Sequence, residues 1–193
     1  MDFRDSCYFR AAARPKKIMI DIAAREPAPL VIVDVDYRPT IAVAAAIVAS
    51  TWNAAIPTET RVARFSDVKP YRPGAFFERE LPCILQVLSL IQSPYEVVVI
   101  DGYVDLDDSG RPGLGGHLHA QLPERIAVVG IAKTSFHGSS FATPILRGTS
   151  QKPLFITARG IKAEFAASLV RAMHGPHRLP TLVKDVDTLA RRS

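Results

Sequence analysis

Three apolar runs stand out along the chain, each closed by a charged residue. Leu30-Val31-Ile32-Val33 runs into Asp34-Val35-Asp36-Tyr37, Val97-Val98-Val99-Ile100 runs into Asp101-Gly102, and Ile126 to Ala132 runs into Lys133. A continuous β-branched run of this length predicts a strand buried on both faces. Ile41 to Ala49, small and β-branched, predicts the second strand of a hairpin after the Arg38-Pro39 turn, and the alternation in Thr60 to Phe65 predicts a third strand. Pro153 to Thr157 predicts a last strand. Leu81, Ile84, Leu85, Leu88 and Ile91 recur at helical spacing, with Pro82 placed for a first helical turn and Glu80 at the helix start. Ile161, Phe165, Leu169, Val170 and Met173 predict a second amphipathic helix, and Leu182 to Arg191 a short third one. Residues 103–124 read as a polar, glycine-rich loop. A short helix is expected over residues 18–25.

This order of elements predicts an α/β domain: a mixed sheet with helices on its faces. The division is a basic N-terminal extension, residues 1–27, followed by one catalytic-size domain over residues 28–193. Within 193 residues, 48% hydrophobic and 22% charged content suits one well-filled core. Two cysteines, Cys7 and Cys83, exclude a disulfide framework. No apolar stretch approaches the roughly 20 residues of a membrane span. Arginines and lysines interrupt the first 17 residues where a signal peptide would be apolar. The expectation is a cytoplasmic monomer with no membrane partner. A net charge of +5 favours a phosphate-bearing partner, though many basic proteins bind none.

The acids carry the chemistry. Asp34 and Asp101 end apolar strands, and Glu80 opens the helix between them. Burying an unpaired carboxylate costs several kcal/mol, so each needs a partner. A divalent cation is one, and oxygen ligands suit Mg²⁺ or Mn²⁺. If the strands ending in Asp34 and Asp101 are neighbours, both reach one ion, as in ribonuclease-H-like nucleases. There, metal ions activate a water and stabilise the leaving oxygen. Each acid alone also has an ordinary explanation, a turn aspartate or an arginine partner. Asp36 shares a strand face with Asp34 and is either a further ligand or solvent-facing.

One longer stretch is more specific. Pro70-Tyr71-Arg72-Pro73-Gly74, followed by Phe77-Glu78-Arg79-Glu80-Leu81-Pro82, resembles the P-Y-x-P-G and F-x-R-E-x-P segments of the endonuclease V family, the deoxyinosine 3′-endonucleases. Asp34-Val35-Asp36-Tyr37 resembles that family's D-x-x-Y strand end, Gly130-Ile131-Ala132-Lys133 its G-V-A-K, and Arg178-Leu179-Pro180 with Asp187 its C-terminal tail. The resemblance implies a ribonuclease-H-like fold and Mg²⁺-dependent cleavage, with Mn²⁺ as substitute, of the second phosphodiester 3′ to a deaminated base in inosine-containing DNA or RNA. It implies Asp34, Glu80 and Asp101 as catalytic metal ligands, with Asp187 as a further acid at the metal and Lys133 neutralising the phosphate. Tyr71 is implied as the wedge that fills the gap left by the extruded base. Pro70, Arg72, Pro73, Gly74, Gly102 and His117 would complete the nucleic-acid contacts.

The chain departs from the pattern in two places. After Asp101-Gly102 it has Tyr103-Val104-Asp105-Leu106-Asp107-Asp108-Ser109-Gly110-Arg111-Pro112 in place of a His-Pro-Arg segment. Three acids there repel a nucleic-acid backbone unless a metal or a basic group offsets them. Ile161 follows Ala158-Arg159-Gly160 where Gly-His is usual. Two further readings therefore stand beside the enzyme: a nucleic-acid-binding relative with little catalysis, and a less specific nuclease on the same fold.

Overall fold

The structure, a computed structural model, describes residues 29–66, 76–136 and 140–193. The basic extension with its expected helix, and the segment from Pro70 to Gly74, lie outside the described residues.

One seven-stranded sheet organises the domain, in the order β3-β2-β1-β4-β5-β7-β6. Its strands are β1 (Leu30–Tyr37), β2 (Ala42–Ala49), β3 (Glu59–Phe65), β4 (Val97–Asp101), β5 (Ala127–Ala132), β6 (Thr143–Ile145) and β7 (Leu154–Arg159). The first three form an antiparallel meander, while β4 and β5 run parallel to β1. The run Leu30–Val33 is continuous because β1 is covered on both faces. Leu30 and Ile32 join one core, under α3 (Ala163–Ala172) and α4 (Thr181–Arg192). Val31 and Val33 join the other, under α1 (Phe76–Ser89) and α2 (Leu114–Gln121). The fully buried β2 is mostly alanine, which lets helices approach both of its faces closely.

Three local features differ from the sequence expectations. Helix α1 begins at Phe76, so Pro82 lies inside it and not in its first turn. The proline ring removes the N–H that would bond the Glu78 carbonyl, a cost of about 3 kcal/mol in a helix interior. Packing outweighs it: Leu81, Cys83, Ile84, Val87 and Leu88 are buried. Glu80 is thus one turn inside the helix, on the stripe continued by Ile84 and Val87, and only 9% exposed.

Second, residues 103–124 contain α2. Gly115 and Gly116 are poor helix formers, and so hide it from periodicity. Their backbone N–H groups donate to the carbonyls of Tyr103 (3.1 Å) and Val104 (2.8 Å), which ties down the helix start. A Cβ on Gly115 would lie 2.8 Å from Val104 Cγ2, and one on Gly116 2.7 Å from the Val104 carbonyl oxygen. Third, the short edge strand β6 contains Pro144 and escaped notice because proline breaks the strand pattern.

Gly130 in β5 is a close-approach glycine of the same kind. A Cβ there would sit 2.4 Å from the Gly102 carbonyl oxygen and 2.8 Å from Thr157 Oγ1. The buried Thr157 hydroxyl accepts the Val104 N–H at 2.8 Å, so neither neighbour moves freely. Gly130→Ala is expected to destabilise the domain by about 2–3 kcal/mol through overpacking, visible as a lowered midpoint in urea unfolding. An unchanged midpoint would mean that the turn after β4 is not held against β5.

Candidate active site

The parallel pairing of β1 and β4 ends with Val33 opposite Ile100. Asp34 and Asp101 come one position later, side by side at the carboxyl ends of the two strands, where open α/β sheets bind ligands. Glu80 reaches the same place from α1, across the other face. Asp34, Glu80 and Asp101 line one small cleft. Asp34, Asp101, Lys133 and Asp187 line a second, under α4. The strand ends and the two helix layers thus bring four of the expected acids to one rim. Among the described residues no three such side chains form a group that could hold a metal ion; Asp34 and Asp101 are shared by the two clefts.

Their electrostatics favour a proton or another positive charge among them. Burial pushes the Glu80 carboxyl up to about 8, aided by the charges of Asp34 and Asp101. Burial also raises Asp34 to about 6, with Asp101 and Asp187 adding to the rise. Glu80 Oε2 is buried without a hydrogen-bond partner, a costly state for a carboxylate. Lys133 Nζ lies 2.5 Å from Asp101 Oδ2, and its charge also partly offsets the rise at Asp34. Buried, mutually repelling oxygen donors with an unsatisfied lone pair fit a hard divalent cation.

Asp36 is engaged elsewhere. Its Oδ2 pairs with Arg38 Nε at 3.1 Å, and Arg38 donates to the carbonyls of Ala190 and Arg191 at the end of α4. Asp187 pairs with Arg191 Nε at 2.8 Å, one helical turn away on the cleft wall.

A cavity of about 480 Å³ opens beside Asp101. Gly102 and His117 line it, together with Phe77, Tyr103, Leu106, Arg111 and Phe136, which sequence reasoning did not single out for it. They come from α1, α2 and two loops, so no local pattern marks them; only the aromatic character of Phe77, inside the recognised segment, hinted at a role. Phe77 and His117 stack with ring centroids 3.7 Å apart and an interplanar angle of 11°. Burial, with Arg159 nearby, holds the His117 imidazole below its usual pKa. Tyr103 Oη donates to the Thr134 carbonyl (2.8 Å) and accepts the Phe136 N–H (3.1 Å), fixing the opposite wall. Gly102 takes φ +124°, a conformation that favours glycine. Its N–H donates to the Ile131 carbonyl at 3.1 Å and is committed to the sheet. Tyr71, Pro70, Arg72, Pro73 and Gly74 lie outside the described residues.

The acids of the 103–112 segment are each offset. Arg159 forks onto Asp105, Arg111 pairs with Asp107 at 3.0 Å, and Ser140 Oγ donates to Asp108 at 2.6 Å. A basic partner is present for Asp105 (Arg159) and for Asp107 (Arg111), while Asp108 has the Ser140 hydroxyl.

A protein-family model described as Endonuclease V matches residues 16–164. An Endonuclease V of Streptomyces coelicolor is 29% identical over 213 residues, which cover 94% of this chain and 88% of that protein. Among solved structures, the Endonuclease V of Streptomyces avermitilis superposes with a TM-score of 0.69 at 23% identity, covering 91% of this chain and 86% of the other. The Endonuclease V of Ciona intestinalis, in complex with a 23mer DNA containing an inosine, superposes with a TM-score of 0.72 at 19% identity, covering 85% and 84%. At such identities the two superpositions bear on the fold, which is the ribonuclease-H-like α/β arrangement expected from the sequence. Among the described residues no helix is long and apolar enough to cross a membrane.

Proposed function

Because the chain belongs to the endonuclease V family, nucleases that hydrolyse phosphodiester bonds, we propose that it cuts DNA or RNA on the 3′ side of an inosine in a Mg²⁺-dependent reaction, with Mn²⁺ as a substitute. The observation that carries this reading is the meeting of Asp34, Glu80 and Asp101 at the strand ends, with a base-sized cavity opening beside Asp101. The inosine-containing DNA held by the Ciona protein supports the substrate class.

Asp34, Asp101 and Glu80 would hold the cation, with Asp187 on the rim. A divalent cation there supplies the charge that makes a water nucleophilic near neutral pH and offsets charge on the departing 3′ oxygen. Glu80, ionised once its repulsion is relieved, accepts a hydrogen bond from the attacking water and orients it. Lys133 shares its charge between Asp101 and a phosphate oxygen, most strongly as negative charge builds in the transition state. The products are a 3′-hydroxyl and a 5′-phosphate.

Extruding the base costs a few kcal/mol of stacking, and the aromatic walls of the cavity return part of it at about 1–3 kcal/mol per stacked base. Tyr71 keeps the wedge role implied by the family resemblance.

The test compares end-labelled oligonucleotides carrying one inosine with matched adenosine controls, in Mg²⁺ and in EDTA. Cleavage is expected at the second phosphodiester 3′ to inosine, in Mg²⁺ only. Equal cutting of both oligonucleotides would favour a less specific nuclease. Tight, salt-dependent binding without cutting would favour a binding protein.

A further inference from the structure

The segment that departs from the family pattern folds into a hairpin whose inner side is a wall of the cavity. Asp105 and Pro112 pair as an isolated antiparallel bridge, and the Leu106 N–H donates to the Arg111 carbonyl at 2.8 Å. Leu106, Arg111 and Pro112 face the cavity. At its tip, Asp107 Oδ1 accepts the Ser109 N–H (3.1 Å), the Ser109 hydroxyl (2.5 Å) and the Arg111 N–H (3.1 Å). Its other oxygen takes Arg111 Nε at 3.0 Å. One carboxylate therefore grips Arg111 by backbone and side chain together. The two terminal amino groups of Arg111 make no hydrogen bond among the described residues, and the side chain is 58% exposed. Exposed ion pairs contribute little to stability, so an arginine oriented this way at a cavity mouth has a binding use to explain.

A guanidinium presents two parallel donors, which match two adjacent acceptors. A 6-oxopurine offers such a pair in N7 and O6, whereas a 6-aminopurine puts an N6 donor beside N7. Gly102 cannot supply the contact from its N–H, which is spent on Ile131. Asp101 lines both the acid cleft and the cavity, so a nucleotide engaged by the acids has its base within reach of this wall. We propose that Arg111, positioned by Asp107, reads the N7–O6 edge of a 6-oxopurine base and is a specificity-determining residue of this protein. The inference rests on the reading that the cavity receives the extruded inosine base.

The experiment is equilibrium binding by fluorescence anisotropy in EDTA, with oligonucleotides carrying inosine, 7-deazainosine or adenosine at one position. The intact protein is expected to bind inosine about tenfold more tightly than 7-deazainosine, which lacks the N7 acceptor. Arg111→Gln should bind the two equally. Arg111→Lys should do the same, since an ammonium keeps the charge but not the fork. Asp107→Asn should narrow the gap while leaving the melting temperature unchanged. Equal binding of inosine and 7-deazainosine by the intact protein would overturn the proposal. So would an Arg111→Gln variant weakened on both by one factor with a reduced salt dependence, which marks a phosphate contact. Cleavage in Mg²⁺ is scored separately. A binding gap without cleavage counts against the proposed reaction and leaves Arg111 standing; cleavage without a gap counts against Arg111 alone.

Discussion

Asp34→Ala is expected to lower the cleavage rate about a thousandfold or more while leaving nucleic-acid binding in EDTA within about threefold of the unaltered protein. Asp34 occupies the end of β1 beside Asp101, with Glu80 over it and Asp187 opposite. Like Asp101 it lies on both clefts, so its loss removes an oxygen donor from either side of the site. Cation-derived stabilisation of the transition state amounts to several kcal/mol, and each 1.36 kcal/mol is a factor of ten. The nucleic-acid contacts proposed here come from the cavity and its aromatic walls, which do not include Asp34. Removing one of several repelling charges should also raise the melting temperature of the metal-free protein at pH 8. Single-turnover kinetics on an inosine oligonucleotide, paired with anisotropy binding, separates the two effects. A variant within tenfold of the normal rate would remove Asp34 from the site.

The second large effect is on stability against pH. The Glu80 carboxyl is raised from 4.5 to about 8 and Asp34 from 3.8 to about 6, in both cases chiefly by burial. The folded, metal-free protein therefore keeps protons that the unfolded chain has released. Stability from these groups is complete below about pH 4 and is lost as pH rises through 6 and then 8. Shifts of this size correspond to a decline on the order of 6 kcal/mol between pH 4.5 and 8.5, or about 12–24 °C in melting temperature for a chain of this length. Mg²⁺, proposed to bind the ionised acids, should recover about 2.7 kcal/mol at a hundredfold excess over its Kd near pH 8, and little near pH 5. Glu80→Gln should flatten the metal-free profile, because an amide has no proton to lose. Calorimetric scans from pH 4.5 to 8.5, with EDTA or Mg²⁺, measure all three. A metal-free melting temperature that does not fall over this range would contradict the burial of these acids and the cation site proposed for them.

Much of this architecture is legible one residue at a time. The bounds Leu30–Tyr37 of β1 are visible in the sequence, because a strand buried on both faces permits no polar interruption until its end. Asp34 and Asp101 were recognisable by breaking that rule at the last position. Helix α2 was hidden because its glycines serve contacts with Val104 and Ile100, residues about a dozen positions away. Pro82 pointed to a helix start for a sound local reason, which burial of the surrounding apolar face overrode. The acids at 105, 107 and 108 read as repulsive in isolation, and two of their partners, Arg159 at the end of β7 and Ser140, lie far along the chain.

By itself the sequence determined, among the described residues, six of the seven strands, three of the four helices, the family and the candidate acids, since these depend on local periodicity and on an unusual run of residues. Only the tertiary structure decided that Glu80 is buried against Asp34, that Lys133 sits on Asp101, and that Phe77, His117, Tyr103, Arg111 and Phe136 enclose one cavity. Those facts depend on which strands lie side by side and how closely helices approach them. That is settled by packing between residues far apart in the chain, where local propensity carries no information.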